Sequence, residues 1–143
     1  MKLLEERTKR KQKQVVALLA HKGEEEFLKQ LLDLMYLKLR RKNRYKELVE
    51  DFTAVYIFQG QKKGAYFVVE FKNNKIYLSK KRMKKWDFRV YFRDERYLYK
   101  FVLGEDGEYQ QAVHEEEVEY TGNLNYMRRF TFIARTILQD KYN

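Results

Sequence analysis

The sequence predicts a single α+β domain in which amphipathic helices cover one face of a sheet. Five short apolar runs have the length and residue types of strands, and two longer segments repeat apolar residues at helical spacing. The chain runs through a helix, four strands, a short helix, a fifth strand and a final helix. A sheet covered in this way can leave an apolar gap between the two layers, so the pattern favours ligand binding.

Residues 1–22 read as a basic helical leader, and residues 23–143 as the domain itself, with Gly23 at the seam. Apolar residues are concentrated between Val15 and Leu19, which predicts a helix that docks by its second half. The alternative is a polybasic arm that touches an anionic partner. Its cations would be Arg7, Lys9, Arg10, Lys11 and Lys13.

A first amphipathic helix is predicted after Gly23. Lys38 and the cations that follow it fall in the last turn, where they suit the helix dipole, and Asn43 is a stop signal. A short helical turn is expected near Tyr45–Val49. The apolar face of the first helix comprises Phe27, Leu28, Leu31, Leu32, Met35 and Leu39.

Three strands follow, joined by short turns. Glycines bracket the first loop, residues 60–64, and Asn73-Asn74 is a tight-turn signal because asparagine tolerates positive φ. In the second strand, Phe67, Val69 and Phe71 share one face. The predicted bounds are Thr53–Gln59, Ala65–Phe71 and Lys75–Ser79.

The fourth strand alternates clearly: Trp86, Phe88, Val90 and Phe92 fall on one face, which predicts a sheet with one buried side. After it we expect a helix over Glu95–Leu103 capped by Asp94 and Gly104, a short helix near 109–114, and a strand over 117–121. Gly122-Asn123 then turns the chain into the last helix. The apolar stripe of that helix is Leu124, Met127, Phe130, Thr131, Ala134, Ile137 and Leu138.

This order of elements resembles the sterol carrier protein type 2 superfamily, in particular its stand-alone bacterial members, over roughly residues 24–140. The resemblance is carried by FLKQLLDLMYLKL, VYIFQ with GAYFVVEF, WDFRVYFRDERYLYKFVLGE, and EVEYTGNLNYMRRF. It implies a five-stranded, mostly antiparallel sheet with the helices packed on one face. It also implies an apolar tunnel between the layers that holds fatty acids, fatty acyl-CoA or sterols. The acidic 114–117 segment and the basic leader depart from the family pattern.

The inward stripes supply a candidate lipid site. Its predicted lining residues are Phe67, Val69, Phe71, Phe88, Val90, Phe92, Phe101, Phe130, Ala134 and Ile137. For each of them an ordinary packed core is the competing interpretation. For an anionic headgroup, the predicted cations are Lys81, Arg82 and Arg128, which could equally belong to a solvated surface.

Composition limits the other functions. The chain has no Cys, so disulfides, thiolate nucleophiles and zinc–thiolate sites are excluded. No motif of a hydrolase, zinc protease or nucleotide-binding loop occurs, and His114 beside Glu115 is more typical of a surface turn than of a catalytic base. We therefore expect no catalysis, no metal and no cofactor. Because the N-terminus lacks an apolar signal core, we expect a soluble, cytoplasmic protein.

The net charge of +10 leaves two further partners open. Basic runs favour polyanions, either an anionic membrane surface or nucleic acid. Nucleic-acid binding is the first alternative, although the alternating strands place most aromatic residues on the core face. A protein-interaction module with a closed core is the second. The sequence says nothing about oligomeric state.

Overall fold

A five-stranded sheet is the centre of the computed structural model, which describes residues 6–7, 9–10, 12–13, 27–41, 45–61, 66–93, 113, 115 and 118–139. The helices among them are α1 (Phe27–Arg41), α2 (Lys46–Val49) and α3 (Leu124–Gln139). The strands are β1 (Ala54–Gly60), β2 (Tyr66–Lys72), β3 (Lys75–Ser79), β4 (Phe88–Phe92) and β5 (Val118–Gly122). Every predicted strand is present, with its ends shifted by at most two residues.

The strands lie in the order β3-β2-β1-β4-β5. Neighbouring strands are antiparallel except β1 and β4, which run parallel. The expected α+β fold with a mostly antiparallel sheet is therefore confirmed. The parallel pair also requires the chain to cross the sheet between β3 and β4, and residues 80–87, here called the basic crossover, make that connection.

The helices cover one face of the sheet. α1 packs against β3 and against α3, and α3 also contacts β4. The predicted inward residues of β2 and β4 lie on this helix-covered face, where one continuous apolar cluster joins sheet and helices. None of the described helices is long and apolar enough to cross a membrane.

The basic crossover covers the opposite face of the sheet. Met83 and Trp86 pack there against a second apolar cluster formed by Ile57, Tyr66 and Val68. The expectation that Trp86 points toward the helices is therefore wrong. Strand pairing begins at Phe88, so the two-residue alternation cannot be extended back to Trp86, which still belongs to the crossover.

Aromatic rings fill the centre of the helix-covered face. The ring of Tyr56 lies 5.8 Å from that of Phe71, 6.3 Å from that of Phe88 and 5.3 Å from that of Phe130. Phe58 approaches Phe130 at 5.2 Å. These distances are those of favourable tilted and edge-to-face pairs, so this part of the layer is solidly packed.

Lys38 departs from the predicted pattern. Instead of standing in solvent at the end of α1, it is 1% exposed, and its ammonium group donates to the carbonyl oxygen of Ile137 at 3.3 Å. That carbonyl is among the last four of α3, which lack partners within their own helix. The side-chain amide nitrogen of Gln12 donates to the next such carbonyl, that of Leu138, at 2.8 Å.

Two predicted turns follow their residue chemistry. Asn73 and Asn74 have φ values of 54° and 60°, as a two-residue hairpin turn of this hand requires. At the start of α3, the side-chain oxygen of Asn123 accepts a hydrogen bond from the amide of Asn125 at 2.9 Å and so caps the helix. Gly122 precedes it with φ of 123°.

Several predictions fall outside the described residues: the helix over 95–103 with its caps, most of the short helix near 109–114, and Phe101. Of the leader, residues 6–7, 9–10 and 12–13 are described, and they are helical. The division into a leader and a domain at Gly23 stays a prediction.

Candidate functional site

A groove with an apolar floor opens between α1 and the strands β2 and β3. Its volume is about 200 Å³. Leu32 reaches it from α1, while Phe67 and Leu78 reach it from the helix-covered face of the sheet. The complete lining is Lys29, Leu32, Asp33, Phe67, Val68, Leu78, Ser79 and Lys80.

The sheet register explains how this floor is assembled. β2 and β3 are antiparallel, and Val69 pairs with Leu78, so the inward residues Phe67 and Leu78 lie diagonally opposite each other. Both side chains are half-buried, whereas Val69 is fully buried. The helix-covered face thus becomes accessible toward this end of the β2–β3 pair.

Two ammonium groups flank the apolar floor. Lys29 comes from α1, and Lys80 from the start of the basic crossover. The ammonium nitrogen of Lys80 lies 5.3 Å from the centre of the Phe67 ring, within the range of a cation–π contact. With Asp33 set against the two lysines, the groove combines apolar surface with a net formal charge of +1, which suits an amphiphile with an anionic end.

The structure places most predicted lining residues in the packed core. Phe67 alone among them lines the groove, and Phe101 lies outside the described residues. The others are at most 1% exposed and belong to the apolar cluster that joins sheet and helices. They are Val69, Phe71, Phe88, Val90, Phe92, Phe130, Ala134 and Ile137.

The three predicted headgroup cations do not come together. Lys81 and Arg82 lie exposed on the basic crossover, and the Arg82 guanidinium stands 4.1 Å from the centre of the Tyr66 ring on the outer face. Arg128 lies exposed on α3, on the other side of the sheet. One headgroup cannot contact all three, because the sheet separates them.

Sequence reasoning missed the contribution of α1 to the groove. Leu32 and Asp33 lie one helical turn after Lys29 on α1, and only Leu32 stood out in the sequence, as a core residue. Leu78 was recognisable as an inward residue of β3. No spacing in the sequence shows which edge of the sheet α1 covers, so the pairing of α1 with β3 had to come from the structure.

A second, wider groove of about 570 Å³ lies near the end of the basic crossover and is lined by Val55, Lys84, Lys85, Trp86 and Asp87. Its geometry is fixed by Asp87, whose carboxylate accepts from the amide of Val55 at 2.7 Å and whose own amide donates to the Val55 carbonyl at 2.8 Å. Within the described ranges, no group of three or more His, Cys, Asp or Glu side chains could hold a metal ion.

Comparisons with known proteins agree on the fold. No protein-family model matches the sequence, and no curated protein matches it. A UbiJ-SCP2 ubiquinone synthesis protein is similar in structure, with a TM-score of 0.62 and 14% identity over 77% of this chain and 89% of that one. The sterol carrier protein domain 2 of Helicoverpa armigera is also similar, with a TM-score of 0.54 and 18% identity over 85% of this chain and 97% of that one.

A third similar structure is sterol carrier protein 2 from Yarrowia lipolytica, with a TM-score of 0.53 and 15% identity over 76% of this chain and 89% of that one. The similarity extends over nearly the whole of these small domains. The chain therefore has a sterol carrier protein 2-like fold.

Proposed function

We propose that this protein binds and carries an apolar ligand with an anionic end, such as a fatty acid or fatty acyl-CoA, without transforming it. The observation that carries the proposal is the groove between α1 and the β2–β3 edge, with its apolar floor and its two lysines. The likeness to sterol carrier protein 2 structures supports the carriage of a lipid in general.

The size of the groove determines how a ligand would sit. Pockets for drug-sized ligands measure about 300–1,000 Å³, so about 200 Å³ holds one end of a long acyl chain. The rest of the chain would lie outside the groove, because the layer beyond the half-buried Phe67 is solidly packed. Each methylene that leaves water contributes about 0.8 kcal/mol to the free energy of binding. The entropy that the ligand loses on binding offsets part of this gain.

The charge of the rim selects among the lipids. Lys29 and Lys80 attract a carboxylate or a phosphate, whereas a sterol offers them only a hydroxyl group. A fatty acid should therefore bind more tightly than the fatty alcohol of the same length. Because both ammonium groups are near solvent, each contributes a factor of only about two to five.

A pair of tryptophan variants on β3 tests the location of the site. Leu78 and Tyr77 are neighbours in sequence but face opposite sides of the sheet. Leu78→Trp fills the groove, whereas Tyr77→Trp adds a similar ring at a position that is 40% exposed. With a fluorescent long-chain fatty-acid probe, we expect saturable binding that Leu78→Trp weakens at least about tenfold and Tyr77→Trp leaves within about twofold.

Thermal unfolding of both variants shows whether each remains folded. Absence of saturable probe binding to the unmodified protein would refute the proposal. Equal affinity of a folded Leu78→Trp variant would move the site elsewhere. Combining Lys29→Gln with Lys80→Gln should weaken the binding of the fatty acid but not that of the fatty alcohol. If the affinities for both ligands fall equally, the two lysines do not bind the headgroup.

A protein-interaction module with a closed core is the second candidate function. The observation that favours it is the aromatic packing around Tyr56, which fills the centre of the helix-covered face. Native mass spectrometry separates the two candidates. A ligand-carrying protein purified from cells shows added mass that organic extraction removes, whereas a closed module shows the mass of the chain alone.

A further inference from the structure

The basic crossover presents a dense row of cations on the face of the sheet opposite the helices. Its exposed side chains are Lys81, Arg82, Lys84 and Lys85, with Lys80 at the edge, where its ammonium group lies over the Phe67 ring of the helix-covered face. The segment crosses β2 and β1 on its way from β3 to β4, which is three strand spacings, or about 14 Å. The cations therefore spread across the sheet instead of gathering at one point.

The backbone beneath these cations is held in place. Met83 and Trp86 face the sheet and pack on its outer apolar cluster. The amide of Met83 donates to the hydroxyl oxygen of Tyr66 at 3.2 Å, and Asp87 is hydrogen-bonded to both backbone groups of Val55. These contacts already fix the backbone and decide which side chains face solvent. The backbone therefore loses little conformational entropy when a partner binds.

The carboxylates of Glu70, Asp87 and Glu119, on or beside this face, offset only part of its positive charge. Glu70 pairs with Lys72 at 3.5 Å, and Asp87 accepts from the amide of Val55. Within the part of the chain that the structure describes, no carboxylate lies within ion-pair distance of the five crossover cations. Neighbouring outer-face positions add Lys75 on β3 and Arg89 on β4.

We propose that the basic crossover is a docking surface for an anionic lipid bilayer. This inference rests on the proposed function, because a carrier of apolar ligands must exchange them with membranes. The position of Lys80 links the two surfaces: it lines the groove and also begins the crossover. A protein docked through the crossover would bring one rim of its groove to the bilayer.

The composition of this face favours a membrane over nucleic acid. Four of its five crossover cations are lysines, whose compact charges need no fixed partner geometry and so suit mobile lipid headgroups. Base stacking would need free aromatic faces. Instead, cations already lie over the tyrosine rings of this face. Arg82 lies 4.1 Å from the centre of the Tyr66 ring, Lys72 lies 5.1 Å from that of Tyr77, and Arg89 lies 5.8 Å from that of Tyr91.

Co-sedimentation with lipid vesicles tests the docking surface. The probes are vesicles of phosphatidylcholine with about one third phosphatidylserine, and vesicles of phosphatidylcholine alone, in about 0.1 M salt. We expect association with the anionic vesicles only. Combining Lys81→Gln, Lys84→Gln and Lys85→Gln should lower the partition coefficient about 100-fold, because each cation near such a surface contributes about fivefold.

A matched variant removes the same charge from the leader. Lys9→Gln, Arg10→Gln and Lys13→Gln replace three cations that are also exposed. We expect this variant to stay within about threefold of the unmodified protein. Equal losses in the two triple variants, no loss in the crossover variant, or equal binding to neutral vesicles would each overturn the docking surface.

Two further measurements separate the alternatives. If the crossover variant loses retention of a single-stranded oligonucleotide but keeps vesicle binding, the surface serves nucleic acid and the membrane assignment fails. Probe binding in vesicle-free solution should be unchanged in the crossover variant. If the unmodified protein binds vesicles but not the fatty-acid probe, the proposed function fails while the docking surface stands.

Discussion

The hydroxyl group of Tyr56 donates a hydrogen bond of 2.6 Å to the carbonyl oxygen of Tyr126. The bond joins the middle of the central strand β1 to the first turn of α3, across the packed layer between sheet and helices. The Tyr56 side chain is also fully buried, with aromatic neighbours on several sides. A single residue thus fixes the position at which α3 begins over the sheet.

Replacing Tyr56 by Phe should remove this bond and keep the ring packing. We expect the free energy of unfolding at neutral pH to fall by about 1 kcal/mol, the net contribution of a typical buried hydrogen bond. Denaturant unfolding monitored by circular dichroism measures the change. A Tyr126→Phe variant is the control, because it keeps the backbone acceptor, and a comparable loss there would assign the effect to ring packing.

The same pair predicts a dependence on alkaline pH. Burial, with a smaller contribution from Tyr126, raises the pKa of the Tyr56 hydroxyl well above its ordinary value of about 10. The folded protein therefore keeps its proton where the unfolded chain releases it. The stabilisation that follows from the raised pKa is complete below about pH 10 and is lost as the pH rises further.

Phe at position 56 has no proton to lose, so comparing the two proteins isolates this effect. Their difference in unfolding free energy should shrink by about 1.4 kcal/mol per pH unit above about pH 10, and reach zero near about pH 11. Denaturant titrations at a series of alkaline pH values measure it. A difference that stays constant across the series would contradict the raised pKa.

Gly122 should tolerate no side chain. Its φ of 123° is unfavourable for other residues, and an added Cβ would stand 2.5 Å from the carbonyl oxygen of Asp87. Gly122→Ala should therefore destabilise the protein by about 1–3 kcal/mol or more, through both strain and the clash. Thr121→Ala, at the exposed neighbouring position, should stay within about 0.5 kcal/mol in the same thermal unfolding assay. Equal midpoints for the two variants would contradict this account of Gly122.

The sequence predicts this turn well, because local chemistry decides it. Asn73, Asn74 and Gly122 hold positive φ values that few other residues adopt, and Asn123 caps the helix, so they mark the turns before any packing is known. The alternation of β4 was equally clear, because its helix-covered face is buried and its other face is only partly covered. Where one residue type suits one local conformation, short-range reasoning is sufficient.

Prediction was weaker where packing on both faces hides the pattern. β1 is the central strand, with Tyr56 and Phe58 under the helices and Ile57 under the basic crossover, so apolar residues occur on both of its faces. No pattern in the sequence singles out Tyr56. Lys38 and Trp86 show the same limit, since Lys38 is buried against the end of α3 and Trp86 packs on the outer face as part of the crossover.

The candidate site was only partly predictable for a related reason. The inward stripes were identified, but most of their residues pack solidly, and accessible space occurs at the edge where α1 meets β2 and β3. Ala134 was predicted to line the lipid site, yet it is fully buried in the central cluster. A large residue there would overpack the core, so Leu78 is the better position for a blocking substitution.

The adjacent residues Arg128 and Arg129 on α3 should differ sharply in their effect on stability. Arg129 donates to the carbonyl oxygen of Leu48 at 2.9 Å, at the end of α2, and its guanidinium lies 4.8 Å from the centre of the Phe52 ring. Arg128 is exposed, and its guanidinium donates to the side-chain oxygen of Asn125 at 3.5 Å.

Arg129→Gln should therefore lower the free energy of unfolding by about 1–2 kcal/mol, because it removes a charged hydrogen bond and a cation–π contact together. Arg128→Gln removes the same formal charge and should change stability by less than about 0.5 kcal/mol. Thermal unfolding of the two variants side by side makes the comparison. Equal midpoints would mean that total charge, and not the link between α3 and α2, determines the effect.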